Sequence, residues 1–368
     1  MTTAPMIASR APEDGRAWSA RLVELLAVGG ATPLLFPLAW LLRAKLGLDD
    51  AELAIGFTTF HAAHLVNDPH FSVTYLLFYE DVRERAKSVR WLLAGVLAPV
   101  VLGAWGILGL ATSSPVVLGG LFQLMFLLVG WHYVKQGFGV LVVLSARRGV
   151  TWARGERVAL LAHCYAGWAY AWANPWDPGR ELEEKGVVYT SIAQPRWLEG
   201  LALATLLATI PPLVFVLARK WRRERGLPSW TPLTAMLVSV WAWSIYSAID
   251  PVVRYVIPAL HSLQYLYLVW LLKRNQARER EGAPWFETAA RLRLGMLAAS
   301  ALGLGWVLFH GAPTFLDGLL VSPREARTSP LGATPYFATL YAFVNLHHYF
   351  MDGAIWRRDN PAMRYLRP

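Results

Sequence analysis

Apolar residues run along this chain in blocks of roughly 20, each long enough to cross a hydrocarbon core about 30 Å thick. The blocks fall at about 20–43, 52–80, 90–112, 115–146, 155–174, 197–219, 230–249, 252–273, 290–310 and 334–356, with Asp68-Pro69 a place for a break in the second. Such runs predict spanning helices rather than strands or short amphipathic segments. The expectation is an all-α fold: a polytopic transmembrane bundle of about ten helices, forming a single integral membrane domain over residues 1–368.

Charge adds an orientation. The clusters Arg83/Arg85/Lys87/Arg90, Arg147/Arg148/Arg154/Arg157, Arg219/Lys220/Arg222/Arg223, Lys273/Arg274/Arg278/Arg280 and Arg357/Arg358 alternate with loops poorer in basic residues. Ten helices put all of them on one side, which the bias of Lys and Arg toward cytoplasmic loops makes the inner side. Both termini are then cytoplasmic, residues 1–18 and 357–368 being tails, the first uncleaved. Arg43 and Lys45 in the first outer loop go against the pattern, with Asp49 and Asp50 close by. The outer loops at about 175–196 and 311–333 read as surface loops. With no eukaryotic targeting signal in view, the expected location is a bacterial inner membrane.

Composition agrees: 55% of residues are hydrophobic, 16% are charged, and the mean hydropathy is +0.35, which calls for lipid as solvent. The formal charge of +10 would suit a nucleic-acid partner, but the basic residues sit at block ends, where lipid head groups meet them, so no nucleic acid is expected. The single cysteine, Cys164, excludes an intramolecular disulfide and a thiolate metal cluster.

The chemistry lies in polar residues inside the apolar blocks, which are costly there and call for partners. The second block holds His61, His64, Asp68 and His70, with His61 and His64 on one helical face; the fourth holds His132 and Gln136; the eighth His261 and Gln264; the tenth His347, His348 and Asp352. Counted at 1.5 Å per residue from the nearest basic end, His348 lies at about 14 Å, His70 and His261 at about 18 Å and His132 at about 22 Å, one layer within about two turns. His163, at about 12 Å, reaches this layer as a partner behind the ligands, whereas His310 falls at the outer end of its block and is left out. The candidate ligands are therefore His61, His64, Asp68, His70, His132, His261, His347, His348 and Asp352. Gln136, Gln264 and His163 stand behind them, and Tyr133, Tyr265 and Tyr349, each beside a candidate ligand, are candidate proton donors. Imidazole and carboxylate without thiolate suit iron, manganese or zinc; oxygen chemistry on a lipid needs a redox metal, so iron, as one or two ions, is the expectation ahead of manganese or zinc.

His61-x-x-His64, His132, His261 and His347-His348, spread over an apolar bundle, resemble the membrane-embedded histidine-cluster non-haem iron enzymes: the lipid desaturases and hydroxylases, and the Brp/Blh-type carotene dioxygenases. The resemblance covers architecture and site rather than a continuous alignment, and Val344 stands where a His-x-x-His-His box has its first histidine. It implies an oxidoreductase using dioxygen on a hydrophobic substrate such as an acyl chain, isoprenoid or carotenoid. Hydroxylation or desaturation would call for an electron-donor protein, since no ferredoxin-like or flavin-binding segment stands out; a dioxygenase would not. Two other readings use the same residues: a transporter or metal permease with a His/Asp transit site, and a protein binding a b-type haem between two histidines.

Overall fold

The computed structural model describes residues 15–80, 82–173, 179, 181–224, 230–280 and 289–367, and these are almost entirely helical. The first apolar block is divided: α1 (Gly15–Leu25) enters a π-helical turn at Leu26–Gly30, and α2 (Leu35–Leu46) follows after a bend of 65°. Gly29 supplies the bend with φ of +119°, a conformation a side chain rarely adopts. The second block is a continuous helix, α3 (Leu48–Tyr79), so Asp68-Pro69 is not a break. Pro69 lies inside it, removing one backbone donor, and the Ser72 hydroxyl stands 3.1 Å from the Asp68 carbonyl and 2.5 Å from that of Ala301.

The chain continues through α4 (Ala98–Ala111), α5 (Pro115–Arg147), α6 (Arg154–Ala173), a hairpin of β1 (Glu181–Glu184) and β2 (Val187–Thr190), and α7 (Arg196–Glu224). Then come α8 (Trp230–Val240), ending in a π turn at Trp241–Ile245; α9 (Pro251–Arg280); α10 (Ala290–Trp306), which passes through a π turn at Val307–Gly311 into α11 (Ala312–Leu320); and α12 (Pro335–Ile355). Five of the described helical segments are long and apolar enough to cross a membrane: Val89–Ala111, Pro115–Arg147, Arg196–Arg223, Val252–Arg280 and Ala290–Leu320; the bent first pair would make six. Helices α3 and α12 are long enough but fall short on composition, because they carry polar residues mid-helix. Outward-facing Val100 and Ile107 on α4, Leu201, Leu207 and Val214 on α7, and Leu292 and Met296 on α10 are exposed, an apolar exterior suited to lipid.

Helices α3, α5, α9 and α12 run in the same direction, toward an end that gathers the basic clusters. There Lys273 pairs with Glu80 at 2.6 Å, Arg148 with Glu24, Arg90 with Asp359 at 3.0 Å and Arg364 with Glu279 at 3.0 Å. Tyr267 of α9 donates to Glu24 as well, at 2.8 Å. The expected C-terminal tail is partly docked: Pro361–Leu366 form a 3-10 helix with Met363 and Leu366 buried, and Asn275 donates to the Tyr365 carbonyl at 2.7 Å. Residues 1–14 of the expected N-terminal tail lie outside the described residues; the helix already begins at Gly15.

At the other end, caps set the helix positions. Ser114, ahead of Pro115, accepts from Val117 N at the start of α5, and Asp250, ahead of Pro251, accepts from Val253 N at the start of α9. Asp250 also receives Arg43, one of the two residues that go against the charge pattern. Both carboxylate oxygens of Asp317 in α11 accept from the first turn of α12, at Tyr336 N and Phe337 N (2.9 and 3.0 Å). The loops expected at 175–196 and 311–333 therefore hold structure: Tyr189 of the hairpin is buried against Phe122, and α11 fixes where α12 begins.

Candidate metal centre

Four imidazoles from four helices meet in the interior. His70 (α3), His132 (α5), His261 (α9) and His348 (α12) are all buried, and ring centroids lie 4.4 Å apart for His70 and His348, 5.0 Å for His70 and His261, and 4.9 Å for His132 with both His261 and His348. One nitrogen from each of His70, His132 and His348 lies within 4.8 Å of the other two. His132 Nε2 and His348 Nε2 are 3.2 Å apart, and Asp352 Oδ2 is 3.7 and 3.5 Å from them. Two ligands with bonds of about 2.1 Å to one ion sit about 3.0 Å apart at octahedral angles and about 3.4 Å at tetrahedral ones, so these three atoms have the spacing of a ligand set.

Hydrogen bonding supports the same reading. Both ring nitrogens of His70, both of His261 and Nδ1 of His348 are buried without a hydrogen-bond partner among the described residues. Each such nitrogen costs about 1–3 kcal/mol when nothing compensates its lost water. Two neighbouring rings with neither nitrogen satisfied need something between them, and neutral imidazole is a good ligand for a transition metal. The group could hold a metal ion. Pro69 immediately precedes His70, and Pro258 lies one turn before His261, so two of the four rings follow a proline inside a helix.

Asp352 is oriented from behind. Its Oδ1 accepts from Tyr265 OH at 2.8 Å and from Trp356 Nε1 at 3.1 Å, leaving Oδ2 toward the imidazoles, and the Tyr265 hydroxyl in turn meets Thr74 Oγ1 at 2.7 Å. Such partners hold a ligand in place and typically change metal affinity by about 10–100-fold. Tyr265→Phe is therefore expected to weaken metal binding by about that factor while leaving the fold intact, as read by titration against a chelator of known affinity. Trp356 and Thr74 were not among the sequence candidates, although the i,i+4 spacings Asp352–Trp356 and His70–Thr74 are a legible signal for both.

The other tyrosine candidates pack their rings against the cluster: Tyr133 is 4.4 Å from His261, and Tyr349 is 4.8 Å from His132 with its hydroxyl turned to Asn345 Oδ1 at 3.4 Å. Among the described residues, neither Gln136 nor Gln264 hydrogen-bonds an imidazole. Gln136 Nε2 reaches the His261 carbonyl (3.1 Å) and Gln264 Oε1 (2.9 Å), and Gln264 Nε2 reaches the Val28 carbonyl (2.8 Å), so the amides lock α5, α9 and the π turn after α1.

Several candidates lie elsewhere. His347 is turned away from the cluster, Nδ1 meeting Tyr75 OH and Nε2 the Ala94 carbonyl, each at 3.0 Å. His163 meets Thr209 Oγ1 at 2.9 Å, on the side of α6 that faces α7. His61 is exposed, with Nδ1 2.9 Å from the Phe57 carbonyl. His64 and Asp68 belong to a separate group on the other face of α3, joined by His310, which depth counting had left out: His310 Nε2 is 2.9 Å from Asp68 Oδ2, because the helix does not end at His310 but continues through a π turn into α11.

Compared with protein-family models, with curated proteins and with solved structures, the chain matches none of them.

Proposed function

We propose that the protein is an integral membrane oxidoreductase that uses non-haem iron and dioxygen on a hydrophobic substrate such as an acyl chain, isoprenoid or carotenoid. In this reading the chain crosses a bacterial inner membrane ten times, with both termini cytoplasmic and the site in the cytoplasmic half. The observation that carries it is the buried group of His70, His132 and His348 with ring nitrogens within 4.8 Å of one another, the Asp352 carboxylate 3.5 and 3.7 Å from two of them, and His261 packed alongside, with ring nitrogens of His70, His261 and His348 that have no hydrogen-bond partner among the described residues. Iron bound there would supply redox chemistry toward dioxygen, and imidazole with carboxylate is a donor set that suits it.

The chain's own residues do the rest. His70, His132, His261, His348 and Asp352 would hold the ion, Tyr265 and Trp356 fix the carboxylate, and burial keeps water away. A groove of about 560 Å³ beside α3, α9 and α10, lined by Tyr75, Leu76, Tyr79, Leu297 and Leu304 with Glu80 and Lys273 at its basic end, suits lateral entry of a lipid. Tyr75 leads from it to His347, the neighbour of His348. Desaturation or hydroxylation would draw electrons from a donor protein, whereas a dioxygenase needs none. A b-type haem fits poorly, since rings this close leave no slot for a macrocycle.

The test is metal analysis and an optical spectrum of detergent-purified protein, wild type against a His261→Ala/His348→Ala double variant, followed by dioxygen consumption with candidate lipids. Near-stoichiometric iron without a Soret band, lost in the double variant, with lipid-dependent oxygen uptake, is expected. Protein that stays iron-free after anaerobic loading sinks the proposal. A metal permease is the second reading, favoured by the His64, Asp68 and His310 group, which extends polar residues toward the outer end; it predicts metal uptake into proteoliposomes.

A further inference from the structure

We infer that His64, Asp68 and His310 form a second metal site, on the face of α3 away from the four-histidine cluster, for a divalent first-row transition-metal ion. One ligand atom from each lies within 4.8 Å of the other two, and Asp68 Oδ2 and His310 Nε2 are 2.9 Å apart, close to the 3.0 Å or so of neighbouring octahedral ligands with bonds of about 2.1 Å. Two histidines and a carboxylate make a three-ligand face that leaves positions open, a donor set suited to iron, manganese, cobalt or zinc.

The site is built by the local sequence. His64 and Asp68 are related by i,i+4 and share one face of α3, while His70, two residues beyond Asp68, is turned about 200° away. The ions would therefore lie on opposite sides of one helix, the second closer to the outer end. His310 reaches α3 from the π turn Val307–Gly311, an insertion that rotates the following residues and often marks function. Gly305, one turn earlier, lets α10 approach so closely that an added Cβ would lie 2.9 Å from the Asp68 carbonyl carbon. Packing alone would account for the Asp68–His310 hydrogen bond. It does not account for His64, whose Nδ1 is buried with no hydrogen-bond partner among the described residues and whose ring centroid is 6.1 Å from that of His310.

The experiment is Co(II) titration of the full chain in detergent, comparing the wild type, a first-site variant (His132→Ala/His348→Ala), a second-site variant (His64→Ala/His310→Ala), and His310→Cys in the otherwise wild-type chain. Two equivalents in the wild type and one in each double variant are expected, with a near-ultraviolet cobalt–thiolate band from His310→Cys that is absent from its parent, although both contain Cys164. One equivalent in the wild type that survives the second-site change overturns this inference and leaves the proposed iron centre standing. One equivalent that survives only the first-site change supports the second site and removes the first. Absence of both the bound cobalt and the thiolate band overturns it outright, even if a double variant folds poorly, because His310→Cys alters a single half-buried residue.

Discussion

Replacing His132 and His348 together by alanine is expected to lower metal affinity by more than about 100-fold, beyond the upper end of what losing a partner behind a ligand costs. The two Nε2 atoms are only 3.2 Å apart and the residues are 4% and 0% exposed, so the change removes two adjacent buried nitrogen donors from the set at once. A folding defect would look different. A metal at 100 times its Kd stabilises the folded state by about 2.7 kcal/mol; the wild type should show that gain as a metal-dependent rise in Tm, and the variant should show none. Without metal, the two proteins should melt closely together, because alanine also removes the unsatisfied Nδ1 of His348. A variant that keeps its metal-dependent rise in Tm would show that these rings are not ligands.

Gly137→Leu should be the most damaging single change in the helix packing. A Cβ there would lie 2.4 Å from Ser239 Oγ, 2.6 Å from Ser239 Cβ and 2.9 Å from the Ala235 carbonyl, where α5 crosses α8. Ser239 cannot yield, being fully buried with its hydroxyl bonded to the Ala235 carbonyl at 2.8 Å. Small residues let spanning helices approach because packing, rather than water exclusion, holds them together in lipid. Overpacking at such a contact costs about 3 kcal/mol. It also displaces α5, which carries His132 five residues away, so metal affinity should fall with stability. Gly139→Leu is the control: a Cβ there meets no described atom within 4 Å. Equal Tm values for the two variants would remove this contact from the account.

Asp68 and His70 show how far a sequence goes. That both sit in one apolar block, at about the level of His132, His261 and His348, follows from counting at a fixed rise per residue. That one belongs to the four-histidine cluster and the other to a group with His310 does not. The same holds for His347 and His348, adjacent in the chain and about 100° apart around α12, of which one faces the cluster and the other Tyr75 and Ala94.

Block length and the spacing of basic residues, read from the chain alone, pointed to a largely helical chain with several apolar spans, to basic residues gathered at one end, and to one level for His70, His132, His261 and His348. What the chain could not establish is the rotation of each helix about its axis. A helix that is apolar on every side has no preferred face, so its own sequence does not say which residue points inward. Tertiary structure made that decision through close contacts at Gly137 and Gly305, the amide lock of Gln136 and Gln264, and the π turn that turns His310 toward Asp68. These are contacts between residues far apart in sequence, and their energies depend on shapes that meet only once the helices have packed.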